Sequence, residues 1–416
     1  MIKHIFTILW NERKQNIALW LELIVVSAFL WYIGDTVYYT VRNYLKPLGF
    51  DVEHTYEMRL GLLSADHKSY IPDLSVDEQA VYLSTILERV QNNPMIEAAS
   101  YSFMTRPYNG ENQSIVCFRD TLRTRHSVLF RRSSLNFFMV FKYKTESGST
   151  DELVHASERG ELVISTVVRD DLFPDGEDCI GKKIYLNDED SVGYRVGAVS
   201  QDVRYGDYHR WSDYINYPMK GNIYKGFVSV PEWLELCVRV KPEQDRDFIA
   251  RFRKEMSQQL RLGNYYLNTI DYMPDVRDAF QKSSENDLKE KLFVILFLLI
   301  NIFLGVTGVF WFRTQQRKME IGLRIALGDM PKKVLGKFFI EGVMLLLLAL
   351  IPVMILFVFL FQQEVLNSYF MDLDVHRYFA GLGITFVLLL IMILLGVWFP
   401  ARRAVNLSPA ETLRDE

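Results

Sequence analysis

A chain of 416 residues has room for two or three domains. Its net charge of −4, with Lys and Arg clustered only beside its apolar runs, excludes a nucleic-acid partner, which would need a basic patch facing phosphates. The hydrophobic fraction of 49%, rich in Phe and Tyr, is concentrated in four long runs, and the stretch between the first two reads like an ordinary soluble protein.

At the start of the chain, Ile2, Ile5, Phe6 and Leu9 share one helical face, with Lys3, Arg13 and Lys14 outside it. This predicts an amphipathic interfacial helix over residues 1–16, lying on a membrane surface. A bilayer core of ~30 Å needs ~20 apolar residues to cross it as a helix. Four segments meet that length: Ile17 to about Ile33 and onward toward Tyr39, Leu292–Phe312, Phe338–Phe361 and Tyr378–Phe399. The first is too long in its apolar core for a cleaved signal peptide, and Trp31, Tyr32, Tyr38 and Tyr39 read as an aromatic belt. Glu22 and Glu341 are read as the two ionisable residues within spans, each about a turn from a cytoplasmic end. A carboxylate reaching the interface, or pairing with Lys or Arg, is the favoured reading for Glu22, and Glu341 is left even between that and a functional role.

Positive flanks set the expected orientation. Lys3, Arg13 and Lys14 precede the first span; Arg313, Arg317, Lys318, Arg324, Lys332, Lys333 and Lys337 crowd the link between the second and third; Arg402, Arg403 and Arg414 follow the fourth. The link between spans three and four carries Glu364, Asp372 and Asp374 instead. Both termini and the basic link are therefore expected inside. The expected order is 17–41 first span, 42–277 extracytoplasmic domain, 278–291 stalk helix, 292–313 second span, 314–337 inner loop, 338–361 third span, 362–377 short outer loop, 378–400 fourth span and 401–416 inner tail.

Between the first two spans, Val76–Val90 reads as an amphipathic helix with Asp77 and Glu78 in its first turn. Strands are predicted at Ser114–Phe118, Leu135–Tyr143, Leu162–Ser165, Lys183–Leu186, Tyr194–Val199, Gly226–Val230, Leu234–Val240 and Tyr265–Ile270, with a helix at Phe248–Leu260. Strand, helix, strand in that order predicts an α+β unit. From about Val276 a charged helical pattern runs into the second span. Cys117, Cys179 and Cys237 form no CxxC pair and read as buried hydrophobes, with one disulfide left open. Gly176 to Lys182 fits GxxxxGK, but Lys183 stands where a P-loop needs Ser or Thr and a strand follows where a helix is required; a glycine turn explains it better. No nucleophile elbow, metal-ligand cluster or HExxH is present, and the scattered carboxylates define no catalytic set.

The inner link predicts two helices joined by a tight turn. Ile321, Ile325 and Ala326 can form one face, Arg317, Glu320 and Arg324 are charged, Gly328 ends the first helix and Pro331 starts the next. Such a rigid knob suits docking into a groove on a partner.

Here the residues resemble a known family. Glu320, Ile321, Gly322, Leu323 and Arg324, then Ala326, Leu327 and Gly328, then Glu341, are similar to the signature of FtsX-like permease domains. Pro400-Ala-Arg-Arg-Ala404 and Pro409 to Arg414 resemble the tail of that family. Leu172-Phe173-Pro174, Ile180-Gly181-Lys182 and Tyr194 to Val199 resemble the periplasmic core domain of MacB-type proteins. Two departures stand out: the third span has Pro352 and no glycine after Gly342, and residue 325 is Ile where a basic residue is common.

The resemblance implies an α-helical membrane protein with four transmembrane helices and a large α+β extracytoplasmic domain, porter-like with an inserted lobe at roughly residues 80–150. It implies a permease subunit of a MacB/FtsX-type ABC system in a bacterial inner membrane, not itself an enzyme. The permease would pair with a second copy or close relative and bind two copies of a separate cytoplasmic ATPase through residues 320–324 and 326–328. No cofactor would bind directly, ATP and Mg being used by that ATPase. A periplasmic adaptor, an outer-membrane factor and membrane lipids are further implied partners. Motion passed to the outer domain would drive extrusion of antimicrobial peptide, drug, toxin or lipoprotein; the alternative is an FtsX-like scaffold that activates a cell-wall hydrolase. A membrane-anchored enzyme, the third class considered, has no active-site constellation to support it.

Overall fold

The computed structural model describes residues 13–187, 192–221, 223–363 and 375–405. The interfacial helix face at Ile2, Ile5, Phe6 and Leu9, the acidic residues Glu364, Asp372 and Asp374, and the tail from Pro409 to Arg414 lie outside the described residues. The chain forms two compact units, residues 1–45 with 284–416, and Lys46–Ser283.

The first unit holds four helices long and apolar enough to cross a membrane. They are α1 (Arg13–Tyr44), the outer part of α7 (Met273–Gln316), α9 (Pro331–Gln362) and α10 (Val375–Val405), with the short α8 (Lys318–Ala326) between α7 and α9. Their buried faces form a large cluster built from Leu19, Leu23, Ile302, Phe310, Leu346, Leu389 and Ile393 among others and a smaller one of Trp31, Val353 and Phe357, while Phe293, Leu304, Ile355 and Phe359 face outward. Apolar residues on every side are what a lipid-facing helix requires. Helix α9 stays continuous through Pro352. At Gly342 a Cβ would come within 2.7 Å of the Ile393 side chain, so the missing side chain sets how closely α9 meets α10.

The second unit is built on one mixed sheet. In chain order its strands are β1 (Thr55–Leu62), β2 (Ile96–Phe103), β3 (Ser114–Ile115), β6 (Val128–Ser133), β7 (Leu162–Ser165), β8 (Lys183–Ile184), β9 (Tyr194–Ser200), β10 (Tyr214–Pro218), β11 (Glu235–Val240) and β12 (Tyr265–Tyr272); β4 (Phe118–Arg119) and β5 (Leu122–Arg123) make a separate hairpin. Across the sheet the order is β12-β1-β11-β2-β6-β10-β7-β9-β8, with β3 beside β6. The pairs β6–β10 and β7–β9 are parallel and the others antiparallel.

Helices α2 (Val76–Gln91) and α6 (Phe248–Met256) cover the β12-β1-β11-β2 half. Helix α2 starts at a capping box: Ser75 Oγ accepts from the Glu78 amide at 3.2 Å, and the Glu78 carboxylate accepts from the Ser75 amide at 2.8 Å. Its Ala80, Leu83, Leu87 and Val90 share a cluster with Met58, Val238 and Phe252. The short α3 (Phe137–Val140), α4 (Asp151–Arg159) and α5 (Thr166–Leu172) serve the other half.

The predicted inserted lobe therefore has other bounds. Residues 76–103 belong to the first half of the sheet, and the second half is contributed by strands from Val128 to Pro218, which enter the chain between β2 and β11.

Three predicted strands are corrected. Leu135–Tyr143 contains the one-turn α3; Phe137, Phe138, Val140 and Phe141 are all buried, so neither face shows a period to read. Gly226–Val230 follows a 3-10 turn at Ile223–Gly226 and pairs with no strand. Ser114–Phe118 divides into β3 and the start of β4. The Gly176–Lys183 segment is a glycine turn, with Gly176 and Gly181 at φ of 75° and 77°, running into β8. All three cysteines are free and buried, and burial pushes the Cys117 thiol up to about 12.

Candidate functional site

The helix–turn–helix between the second and third apolar helices takes its shape from local chemistry. Helix α7 ends at Gln316, Arg317 stands at the N-cap position, and α8 follows. The end of α8 is a Schellman turn: the Gly328 amide donates to the Ile325 carbonyl at 3.0 Å and the Asp329 amide to the Arg324 carbonyl at 2.9 Å. Gly328 sits at φ 95°, a conformation that costs any residue with a Cβ, so this turn depends on glycine. Pro331 then opens α9, where its missing N–H leaves nothing unsatisfied.

Ile321 points inward, in the same cluster as Val334, Ala401 and Ala404, and Ile325 packs at its edge. Ala326, expected on that face, is exposed instead, because it lies beyond the last inward turn of so short a helix. Glu320 and Arg324 pair along the outer surface. Beside them Met319, Leu323 and Leu327 project outward at intervals of four residues, with Met330 beyond; Leu323 is 54% exposed and Leu327 79%. An apolar stripe of this kind on a short, capped helix is a surface made to be covered.

Glu341 holds this element to the apolar helices. It lies on α9, is 4% exposed, and receives Arg313 of α7 on one oxygen and Arg317 of the hinge on the other, the latter at 3.3 Å. Arg313 is itself 2% exposed and lies over the Phe310 ring. One carboxylate thus joins the end of α7, the start of α8 and the body of α9. The Pro400-Ala-Arg-Arg-Ala404 segment completes the surroundings: Ala401 and Ala404 are buried in the cluster, while Arg402 and Arg403 lie over Trp398 and Trp311.

Glu22, read as reaching the interface or pairing with Lys or Arg, makes no pair among the described residues. Its carboxylate rests against Gly305 of α7. A second buried pair escaped the sequence: Asp35 of α1 accepts from Arg377 Nε of α10 at 2.8 and 2.9 Å, with a further bond from Nη2. Trp31 Nε1 donates to the Tyr378 carbonyl at 3.3 Å beside it. Neither was singled out in the sequence, although Asp35 lies within the expected first span and Arg377 at the edge of the fourth.

In the second unit the start of α7 is anchored at Asp207. Arg277 Nε donates to Asp207 at 3.0 Å and Tyr108 Oη donates to its other oxygen at 3.0 Å. Phe280, one turn on, lies against Tyr108, Tyr205 and His209. Arg204 reaches from the same loop to the Pro47 carbonyl at 2.9 Å, close to where the chain enters this unit. Burial, with Arg204 nearby, lowers the His209 pKa to about 4.

The buried carboxylates Glu57 and Glu235 are held by groups of this unit. Glu235 accepts from Ser102 Oγ at 2.6 Å and from the Thr105 and Arg106 amides at 3.0 Å, and Arg106 pairs with Glu57 at 2.8 Å. Among the described residues no three His, Cys, Asp or Glu side chains come together as metal ligands.

The geometry describes a membrane protein with a mixed α/β domain between its first and second apolar helices and a helix–turn–helix between its second and third. Residues 292–409 match the family model of the FtsX-like permease C-terminal domain. Among curated relatives, the macrolide export ATP-binding/permease protein MacB of Salmonella typhi is 24% identical over 288 residues, covering 68% of this chain and 42% of its own length. MacB of Pectobacterium atrosepticum is 27% identical over 295 residues, covering 67% and 42%. This chain therefore spans under half the length of the relatives it matches. In solved structures, the periplasmic region of MacB from Actinobacillus actinomycetemcomitans pairs with 58% of this chain and 98% of its own at 13% identity and a TM-score of 0.31, too low to argue from. Over these residues the chain is similar to permeases of the MacB/FtsX type.

Proposed function

We propose that this protein is a permease subunit that couples ATP hydrolysis by a cytoplasmic ABC ATPase to movement of the domain between its first two spans. The observation that carries this is the α8 knob: Met319, Leu323 and Leu327 exposed on a helix that Gly328 terminates and Glu341 ties to two spans. A rigid, charged-and-apolar knob transmits a push from a docked partner without absorbing it. The positive flanks favour a cytoplasmic side for this knob and both termini, with the domain of residues 46–283 outside.

Two ATPase copies would engage a pair of permeases, using ATP and Mg that this chain need not bind itself. Glu320, Ile321, Gly322, Leu323, Arg324, Ala326, Leu327 and Gly328 form the coupling element, with Glu341 as its tether. The matched relatives are named for macrolide export, which favours extrusion of an extracytoplasmic substrate.

The test is a pull-down from native membranes with wild type, a Glu320→Lys, Arg324→Glu double variant and Leu323→Asp. Wild type is expected to retain an ATPase of ~25 kDa, the size of one typical domain. Both variants are expected to lose it with unchanged thermal midpoints. Wild-type protein that retains no ATPase overturns the proposal.

A further inference from the structure

Strands β6 and β10 run parallel and end together, Ser133 opposite Pro218. Strand β2 ends beside them, with Phe103 opposite Arg132. The chain leaving β10 does not return along the sheet; it folds as a 3-10 turn and loop as far as Trp233 before β11 begins. These strand ends and that loop line a cleft of about 730 Å3. The volume falls in the range that small-molecule sites occupy, and the ends of parallel strands are a common place to find them.

The walls are aromatic. The Phe103 ring lies 5.4 Å from Phe227 and 6.2 Å from Trp233, which is 53% exposed. Into this wall the fold sets one guanidinium. Arg132 lies over Phe103 at 4.5 Å, and its Nη2 donates to the neutral Gln113 Oε1 at 2.7 Å. Its Nε is buried with no acceptor, and no carboxylate pairs with it among the described residues. Arg119, Arg239 and Arg277, by contrast, each face an acid. The other charged residue lining the cleft is Lys220, and none of the described lining residues is acidic. A partly desolvated cation without a counter-charge is costly, and a planar guanidinium is matched best by carboxylate or phosphate.

We propose that this cleft binds a hydrophobic anion: an aromatic or acyl body against Phe103, Phe227 and Trp233, with a carboxylate or phosphate on Arg132. The site lies wholly within the second unit and does not depend on the coupling role assigned to α8.

The experiment is calorimetric titration of the full chain in lipid nanodiscs, with empty nanodiscs as the blank. The probes are naphthoate, naphthyl phosphate, octanoate and the neutral naphthylmethanol. Naphthoate or naphthyl phosphate is expected to bind about tenfold tighter than naphthylmethanol, the margin of a charge-assisted pair. The ranking of the two anions identifies the headgroup, and octanoate against naphthoate identifies the body. Arg132→Gln is expected to abolish the preference for anions while leaving the alcohol unchanged, and Trp233→Ala to weaken every probe. Wild-type protein that shows no preference for the anions, or Arg132→Gln protein that keeps it, overturns the proposal. The wild-type comparison decides the matter even where a variant fails to fold.

Discussion

The two units place buried charge to different ends. Among the described residues of the first unit, buried ion pairs join helix to helix: Glu341 gathers Arg313 and Arg317 across α7 and α9, and Asp35 holds Arg377 across α1 and α10. In the second unit Arg106 also pairs with an acid, Glu57, but the two most deeply buried arginines serve the backbone. Arg239 donates to the Val140 carbonyl at 2.6 Å and to those of Glu53 and Asp51 at 2.8 Å, and Arg204 to the Pro47 carbonyl. The physical reason is the solvent. In lipid, an apolar side chain gains little by facing another helix, so charged pairs and close glycine contacts must set helix register. In water, apolar burial already places the strands and helices, and the remaining need is to satisfy irregular buried backbone.

The comparison breaks most visibly at Glu341. Glu341→Leu leaves Arg313 buried without its acid and should cost about 3–5 kcal/mol, read as a lower thermal midpoint of the purified protein. Arg313→Met combined with Glu341→Met should recover most of that loss, because the desolvation cost leaves with the charges. Full recovery by the double variant together with retained ATPase capture would show that the pair stabilises without transmitting.

Asp207→Ala is the matching test in the second unit. It removes acceptors from both Arg277 and Tyr108 and should cost about 2–3 kcal/mol. Hydrogen exchange should locate the loss at the start of α7. An effect spread evenly over the sheet would argue against a local anchor.

A pH titration sharpens the contrast further. His209 has a folded pKa near 4, below its ordinary value, because burial disfavours the imidazolium. The folded unit therefore prefers the neutral ring: its contribution is complete above about pH 6.5 and declines as pH falls toward 4, by about 1–2 kcal/mol after allowing for partial exposure. His209→Phe should flatten that segment of the stability profile. Smallest of all, Leu323→Ser should change stability by less than about 0.5 kcal/mol, since its side chain faces outward. A larger loss would mean that α8 uses that residue internally.

Much of the first unit was legible because its signals are long or local. Each of the four apolar runs sustains a single instruction over many residues, and the Gly328 turn with Pro331 is written in adjacent positions. The second unit was read less completely. Strands β1, β2, β6 and β10 were missed, since a sheet strand buried on both faces shows no alternation; β10 carries Tyr, Ile and Asn in succession with all three buried. Strand β11 was found, but its Glu235 and Arg239 had the appearance of surface residues.

By itself, then, the sequence determined the number of apolar helices, the domain inserted between the first two, and the turn chemistry of the knob, because periodicity and capping act over a few neighbouring residues. Tertiary structure alone decided which charges meet. Asp35 and Arg377 are 342 positions apart and bond at 2.8 Å, and Arg132 meets no acid among the described residues in its aromatic cleft. Such partners are chosen by packing between distant segments, and no local pattern records that choice.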